Sequence, residues 1–237
     1  ILVITTPEDQ GAFQRLLGDG SQFGIRLTYA VQQQPEGLAQ AFIIGADFIG
    51  DSSVALALGD NIFHGSQFSA SLGQCRDPQG GIVFAYEVSD PSRYGVVAFD
   101  ESGQALSIVE KPQQPQSNFA VVGLYFYDNS VVDIARTITP STRGELEITS
   151  VNEAYLRQGK LQVQKLARGD VWLDTGTFDS MSEASSYVEV LQKRTGIIIG
   201  SPEAAAYQSG FIDAEQLQIL AARLDKSGYG RLLRNIL

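Results

Sequence analysis

Apolar positions in the first part of the chain fall into short runs separated by polar and glycine-rich breaks. Residues 1–5 read as a strand. Thr6-Pro7-Glu8-Asp9 reads as a helix start, with a hydroxyl at the cap, proline in the first turn and acids near the positive end of the helix dipole. That helix is expected to run to Leu17, where Gly18-Asp19-Gly20 ends it. Residues 25–31 form a second predicted strand, and the apolar spacing of residues 38–48 predicts a helix. The run Val54-Ala-Leu-Ala-Leu-Gly-Asp-Asn-Ile-Phe63 is bounded by Asp51-Ser52-Ser53 and broken at Gly59, as in a parallel strand buried on both faces. This β-α-β-α-β order predicts an α/β fold with a doubly wound, mainly parallel sheet.

Residues 65–75 predict a short amphipathic helix and 81–87 a strand. Residues 94–99 and 105–110 flank Asp100-Glu-Ser-Gly103, a connection that favours a hairpin. A further strand is expected over 119–127, helices over 130–138 and 147–158, and a strand over 161–166. Trp172-Leu-Asp-Thr-Gly176 ends another short apolar segment, and Thr177 opens a helix to about Arg194. After Gly196 the pattern changes to small helices over 202–208, 213–224 and 229–237. The organisation expected is a core over 1–195 and a C-terminal helical region over 196–237, with no internal repeat.

A formal net charge of −10 over 237 residues argues against a nucleic-acid partner, whose footprint is a basic face. Cys75 is the single cysteine, so no intrachain disulfide is expected and a reducing cytoplasm is the natural compartment. No apolar run approaches the roughly 20 residues of a membrane helix. Ile1-Leu-Val-Ile4 lacks the basic flank and cleavage site of a signal peptide. It reads instead as a buried strand, and without an initiating methionine further residues are expected before it.

In open α/β sheets ligands bind beyond the carboxyl ends of the strands, which singles out Asp60 after the run at 54–58. A capped turn is the alternative reading. Asp174 ends a second apolar segment. If both segments belong to one sheet, the two carboxylates can converge on Mg2+, a hard cation that takes one or two protein carboxylates and completes its shell with water and phosphate oxygens. In Glu110-Lys111-Pro112, Lys111 could hold a phosphate and Glu110 sugar hydroxyls; an exposed ion pair before a proline stop is the alternative. Gly95, beside Tyr94, would let a backbone amide approach a ligand, or simply start a strand. Gln32, ahead of Gly37-Leu38, could read a base edge through its amide or sit in a polar loop. Trp172 fits the core or a ligand platform. His64 falls in a predicted turn with no second histidine to form a metal cluster, and Cys75 reads as a packing residue.

Several of these pieces occur together and in order: Gln32-x-x-Pro-x-Gly-Leu-Ala-Gln-Ala41, Leu58-Gly-Asp-Asn-Ile-Phe63, Arg93-Tyr-Gly-Val-Val97, Glu110-Lys-Pro112, Gly123-Leu-Tyr-Phe-Tyr-Asp128, Arg143-Gly-Glu-Leu-Glu-Ile-Thr149 and Trp172-Leu-Asp-Thr-Gly-Thr177. In this the chain resembles the bacterial glucose-1-phosphate thymidylyltransferases, sugar nucleotidyltransferases that open dTDP-L-rhamnose synthesis. The resemblance implies a nucleotidyltransferase-like Rossmann-type fold and a reaction in which dTTP and α-D-glucose 1-phosphate give dTDP-glucose and pyrophosphate. It further implies that Gln32 and Gly37 read thymine, that Asp60 and Asp174 hold Mg2+, and that Lys111 neutralises the sugar phosphate and the transferring phosphorus. Tyr94, Gly95, Glu110, Val121, Tyr125, Glu145 and Trp172 would shape the glucose pocket. His64, Gly65 and Arg168 match part of a second, regulatory site for a dTDP-sugar, and a homotetramer is the usual assembly. The family's opening strand, its Gly-Gly-x-Gly-Thr-Arg-Leu loop and the lysine after it are not in the sequence. The chain by itself is therefore expected to lack the triphosphate cradle and to be inactive. Two rivals stand beside this reading: a relative that uses UTP, and a non-catalytic nucleotide-sugar sensor or regulatory subunit.

Overall fold

The structure, a computed structural model, describes residues 1–237 apart from the side chain of Ser69. Two compact units divide the chain, one made of residues 1–33 and 176–237, the other of residues 34–175. The first unit opens with β1 (Leu2–Thr5), α1 (Gln10–Leu17) and β2 (Thr28–Val31), and β1 pairs with β2 in parallel. α1 starts later than Thr6 implied. The Thr6 hydroxyl donates to Asp9 Oδ2 at 2.8 Å and accepts from Asp9 N at 3.2 Å, so the capping groups close a turn ahead of the helix.

The second unit holds α2 (Gln40–Ile44), α3 (Ala46–Ile49), β3 (Val54–Ala57), β4 (Asn61–His64), α4 (Phe68–Gly73), β5 (Gly81–Glu87), β6 (Gly95–Phe99), β7 (Ala105–Glu110) and β8 (Phe119–Tyr127). It continues with α5 (Val131–Thr137), α6 (Ile148–Arg157), β9 (Leu161–Lys165) and β10 (Val171–Asp174). The helix expected over 38–48 is two helices, because Gly45 ends α2 and caps α3. Glycine inside a helix costs about 1 kcal/mol and is a natural breaking point. The chain then returns to the first unit with α7 (Phe178–Thr195), α8 (Pro202–Gln208), α9 (Ala214–Arg223) and α10 (Tyr229–Arg234). The helices after Gly196 do not stand apart as the sequence boundary at 195 implied. They share this unit with α7 and residues 1–33, because Ala204, Leu217, Leu220 and Leu233 close around Phe23 and Ile25.

The α/β class is as expected, but the strand senses are more mixed than a mainly parallel sheet. Strand order is β7-β6-β8-β5-β9, with β3 also on β8. β5 and β9 run parallel, whereas β3, β5 and β6 all lie antiparallel to β8, and β6 to β7. The reason lies between β5 and β8, where the β6–β7 hairpin reverses the chain without the helical crossover that parallel neighbours need.

β8 organises the unit. Its alternate residues face two cores: Val121, Tyr125 and Tyr127 pack with Phe42, Val151 and Tyr155, while Ala120, Val122 and Leu124 pack with Phe84, Cys75 and Trp172. One edge of β8 is taken along its length by β5. The other edge is divided, with β3 against residues 124–127 and β6 meeting only Ala120. Strands β3 and β6 therefore part over residues 121–123. A second correction concerns His64, which ends strand β4 and does not lie in a turn; β4 pairs antiparallel with β10, setting His64 opposite Val171 and Asn61 opposite Asp174. No helix among the described residues is long and apolar enough to cross a membrane.

Candidate active site

The divided edge of β8 opens a cavity of about 280 Å³ in the second unit, with Asp60, Asn61, Lys111, Val121 and Asp174 in its wall. Gly59 turns the chain out of β3, and the Asp60 carbonyl accepts from Thr175 N at 2.8 Å and from Thr175 Oγ1 at 2.9 Å. With Asn61 opposite Asp174 in the ribbon, these bonds bring two aspartates distant in sequence to the same end of β4 and β10. Asp60 Oδ1 accepts from Asn61 Nδ2 at 2.7 Å. Asp174 Oδ2 accepts from Tyr94 OH at 2.7 Å and faces the Arg93 guanidinium at 3.5 Å. Burial pushes the Tyr94 phenol up to about 12, and its bond to Asp174 adds to the shift, so it stays a donor at neutral pH.

Lys111 follows β7 with φ +42°, the one non-glycine residue in the left-handed region among those described, and its N–H donates to Tyr94 O at 3.0 Å. Such a conformation costs a lysine about 1–2 kcal/mol and is held by its surroundings. Glu110 Oε2 accepts from Thr149 Oγ1 at 2.6 Å. The Arg143 guanidinium lies 2.8 Å from Glu147, 3.1 Å from Glu145 and 3.7 Å from Glu110. Its hydrogen bond to Glu147 outweighs desolvation and raises its pKa further. Gly95 lies beneath this group, where a Cβ would stand 3.1 Å from Thr149 Oγ1 and 3.4 Å from Glu110 Oε2. Tyr125 completes the wall, its phenol raised by burial and by the charges of Glu110 and Asp60.

Thus the cavity gathers Asp60, Asp174, Lys111, Tyr94, Gly95, Glu110, Val121, Tyr125, Glu145 and Trp172 from the sequence reading. Gln32 belongs to the other unit, after β2. Gly37 is in the second unit with φ +103°, its backbone against Leu146, and only its neighbour Leu38 reaches the cavity wall. His64, Gly65 and Arg168 collect at the opposite end of the β4–β10 ribbon. There Asp170, paired in a bridge with Arg168, would lie 1.9 Å from a Cβ on Gly65.

Five cavity-lining positions escaped the sequence reading. Asn61 is a hub: its Oδ1 accepts from Gly123 N at 3.0 Å and from Trp172 Nε1 at 2.6 Å, while its amide holds Asp60. Arg93, Arg143, Glu147 and Thr149 are the others. Arg143 sits in the turn at Gly144, Glu147 caps α6 and Thr149 lies in its first turn, so no single periodicity in the sequence marks the three together.

A family model described as nucleotidyl transferase matches residues 1–190. The glucose-1-phosphate thymidylyltransferase of Mycolicibacterium smegmatis is 58% identical over 237 residues, covering 100% of this chain and 82% of the relative. That of Mycobacterium tuberculosis is 55% identical over the same coverage. Among solved structures, a Bacillus anthracis protein assigned as a glucose-1-phosphate thymidylyltransferase, in complex with sucrose, superposes with a TM-score of 0.73 at 34% identity over 85% of this chain and 78% of its own. A UDP-glucose pyrophosphorylase complexed with UDP-glucose shares the fold, with a TM-score of 0.63 at 24% identity over 79% of this chain and 74% of its own. By these matches the chain belongs to the nucleotidyl transferase family, with the glucose-1-phosphate thymidylyltransferases.

Proposed function

We propose that this cavity is the sugar-phosphate end of a thymidylyl-transfer site, joining dTTP to α-D-glucose 1-phosphate with release of pyrophosphate. An oxygen of the sugar phosphate attacks the α-phosphorus in line, and the bond to the bridging oxygen breaks with its electron pair leaving on pyrophosphate. Such chemistry asks the protein chiefly for positioning and charge neutralisation. The observation that carries this reading is the distribution of cations in the cavity wall. Arg93 faces Asp174 and Arg143 is shared among three glutamates, whereas Lys111 makes no ion pair among the described residues. Lys111 is the charge left over for a phosphate.

The remaining roles follow from chemistry. Glu110 and Glu145, steadied by Arg143 and Thr149, accept from glucose hydroxyls; Tyr94, Gly95, Val121, Tyr125 and Trp172 shape the sugar pocket. Gln32 and Gly37 are assigned to thymine. No cluster of three or more His, Cys, Asp or Glu side chains occurs among the described residues. Two converging carboxylates fit the donor set of a hard cation that keeps most of its shell for water and phosphate. Asp60 and Asp174 would therefore hold Mg2+, which when bound neutralises phosphate charge. His64, Gly65 and Arg168 are assigned to a second, regulatory site for a dTDP-sugar in a cytoplasmic homotetramer.

Pyrophosphate release by the full-length gene product from dTTP and glucose 1-phosphate tests the reading. Asp174→Asn and Lys111→Ala are each expected to reduce it by on the order of 100-fold or more. Faster release from UTP than from dTTP, or dTDP-glucose binding without any pyrophosphate release, would refute it.

A further inference from the structure

Arg93 reaches the cavity from the turn Pro91–Arg93, which Asp90 caps by accepting from Ser92 N at 3.3 Å and Ser92 Oγ at 2.6 Å. The guanidinium lies 5.5 Å over the Tyr94 ring and 3.5 Å from Asp174 Oδ2, the oxygen that also accepts from Tyr94 OH. The Asp174 side chain is 14% exposed and that of Arg93 47%, so an embedded carboxylate meets a guanidinium that approaches from the solvent side. Asp60 and Asp174 share this cavity wall, and two carboxylates brought together raise each other's free energy unless a positive charge stands between or beside them.

We propose that Arg93 is a built-in counter-ion of this aspartate pair, competing with a divalent cation for Asp174 and keeping the affinity for free cation low. The inference rests on the reading of Asp60 and Asp174 as the cation-binding pair. Tyr94 has the complementary part of a positioning residue: its hydroxyl holds Asp174 in place from the protein side, so the carboxylate keeps its aim when the guanidinium swings off. A purely structural Arg93 would act the other way, since removing it would loosen Asp174 and weaken cation binding.

Manganese binding by the full-length gene product, titrated by electron paramagnetic resonance of the free ion, separates these outcomes. In Arg93→Gln the affinity for Mn2+ is expected to rise by roughly three- to tenfold, because one positive charge near the site is gone. Arg93→Lys, which keeps the charge, is expected to stay near the parent, and the gap between Gln and Lys variants should narrow as KCl is raised, since screening weakens the competition. Asp174→Asn is the control for the pair itself. Undiminished Mn2+ binding in Asp174→Asn overturns both the cation-site reading and this inference. Loss of binding in Asp174→Asn, together with unchanged or weaker binding in Arg93→Gln, overturns the inference alone.

Discussion

Replacing Asn61 with alanine removes the acceptor of two buried donors at once. Gly123 N–H and Trp172 Nε1–H, at 3.0 and 2.6 Å from Asn61 Oδ1, would lose their partner, and Asp60 would lose the amide at 2.7 Å. An orphaned buried donor costs about 1–3 kcal/mol, so two set a range of about 2–6 kcal/mol. Water entering from the adjoining cavity recovers part of this, which places the expected loss near 2–4 kcal/mol. Trp172 is the sole tryptophan of the chain and is 7% exposed, so its emission reports the site directly. Urea unfolding followed by that emission should show the free energy falling by this amount, with the folded variant emitting further to the red. Asn61→Asp is the informative partner, since it keeps the acceptor for both donors but sets a third carboxylate beside Asp60 and Asp174. Its loss should shrink with added salt, unlike that of the alanine variant. An alanine variant within about 0.5 kcal/mol of the parent, with an unshifted emission maximum, would refute the hub assignment.

Three further outcomes follow from the geometry. Gly65→Ala would set a Cβ 1.9 Å from Asp170 Oδ1 and should cost about 2–3 kcal/mol, partly recovered when Asp170→Gly is added; chemical denaturation of the single and double variants checks this. Lys111→Gly should stabilise the fold by about 1 kcal/mol, by relieving a left-handed lysine, while abolishing pyrophosphate release by the gene product. Burial raises the phenols of Tyr125, Tyr127 and Tyr155, three rings that stack in one core. Above about pH 10 the unfolded tyrosines ionise while these stay protonated, so the folded state binds more protons and stability falls as pH rises. Stability below that pH is unaffected by these groups, and thermal melts from pH 8 to 11 would show a decline beginning near 10.

Elements whose signal is local were legible in the sequence. β8 announces itself as nine apolar and aromatic residues, and the β6–β7 hairpin by its glycine turn. The pairings that make the site were not, because they join distant residues. The run 54–63 read as one parallel strand, and only the antiparallel partners β8 and β10 show that it is two, the second of which takes in His64. Likewise the apolar spacing of residues 38–48 does carry a helix, but it cannot show that Gly45 splits it. Asp60, Lys111 and Asp174 were singled out because their residue types fit phosphate and metal chemistry at strand ends, and the structure gathers them in one cavity. Asn61, Arg93 and Arg143 act on other side chains, and such roles become visible only through contacts.

Lys111 also shows how a site can be distinguished from scaffold without a bound ligand. Its backbone is strained at φ +42°, and its ammonium has no ion pair among the described residues although five carboxylates, Asp60, Glu110, Glu145, Glu147 and Asp174, line the same cavity. Each feature alone lowers stability or forgoes a gain. A residue selected for the fold would be a glycine, or would turn to a neighbouring acid. Arg143 does the latter three times over, and Arg93 does it with Asp174. On the proposed reading, this strained, uncommitted cation among committed ones serves a charge that arrives from outside, and in a cavity edged with carboxylates that charge must be dense enough to enter against them. A phosphate accompanied by a divalent cation meets that condition, whereas an uncharged sugar gives Lys111 nothing to neutralise.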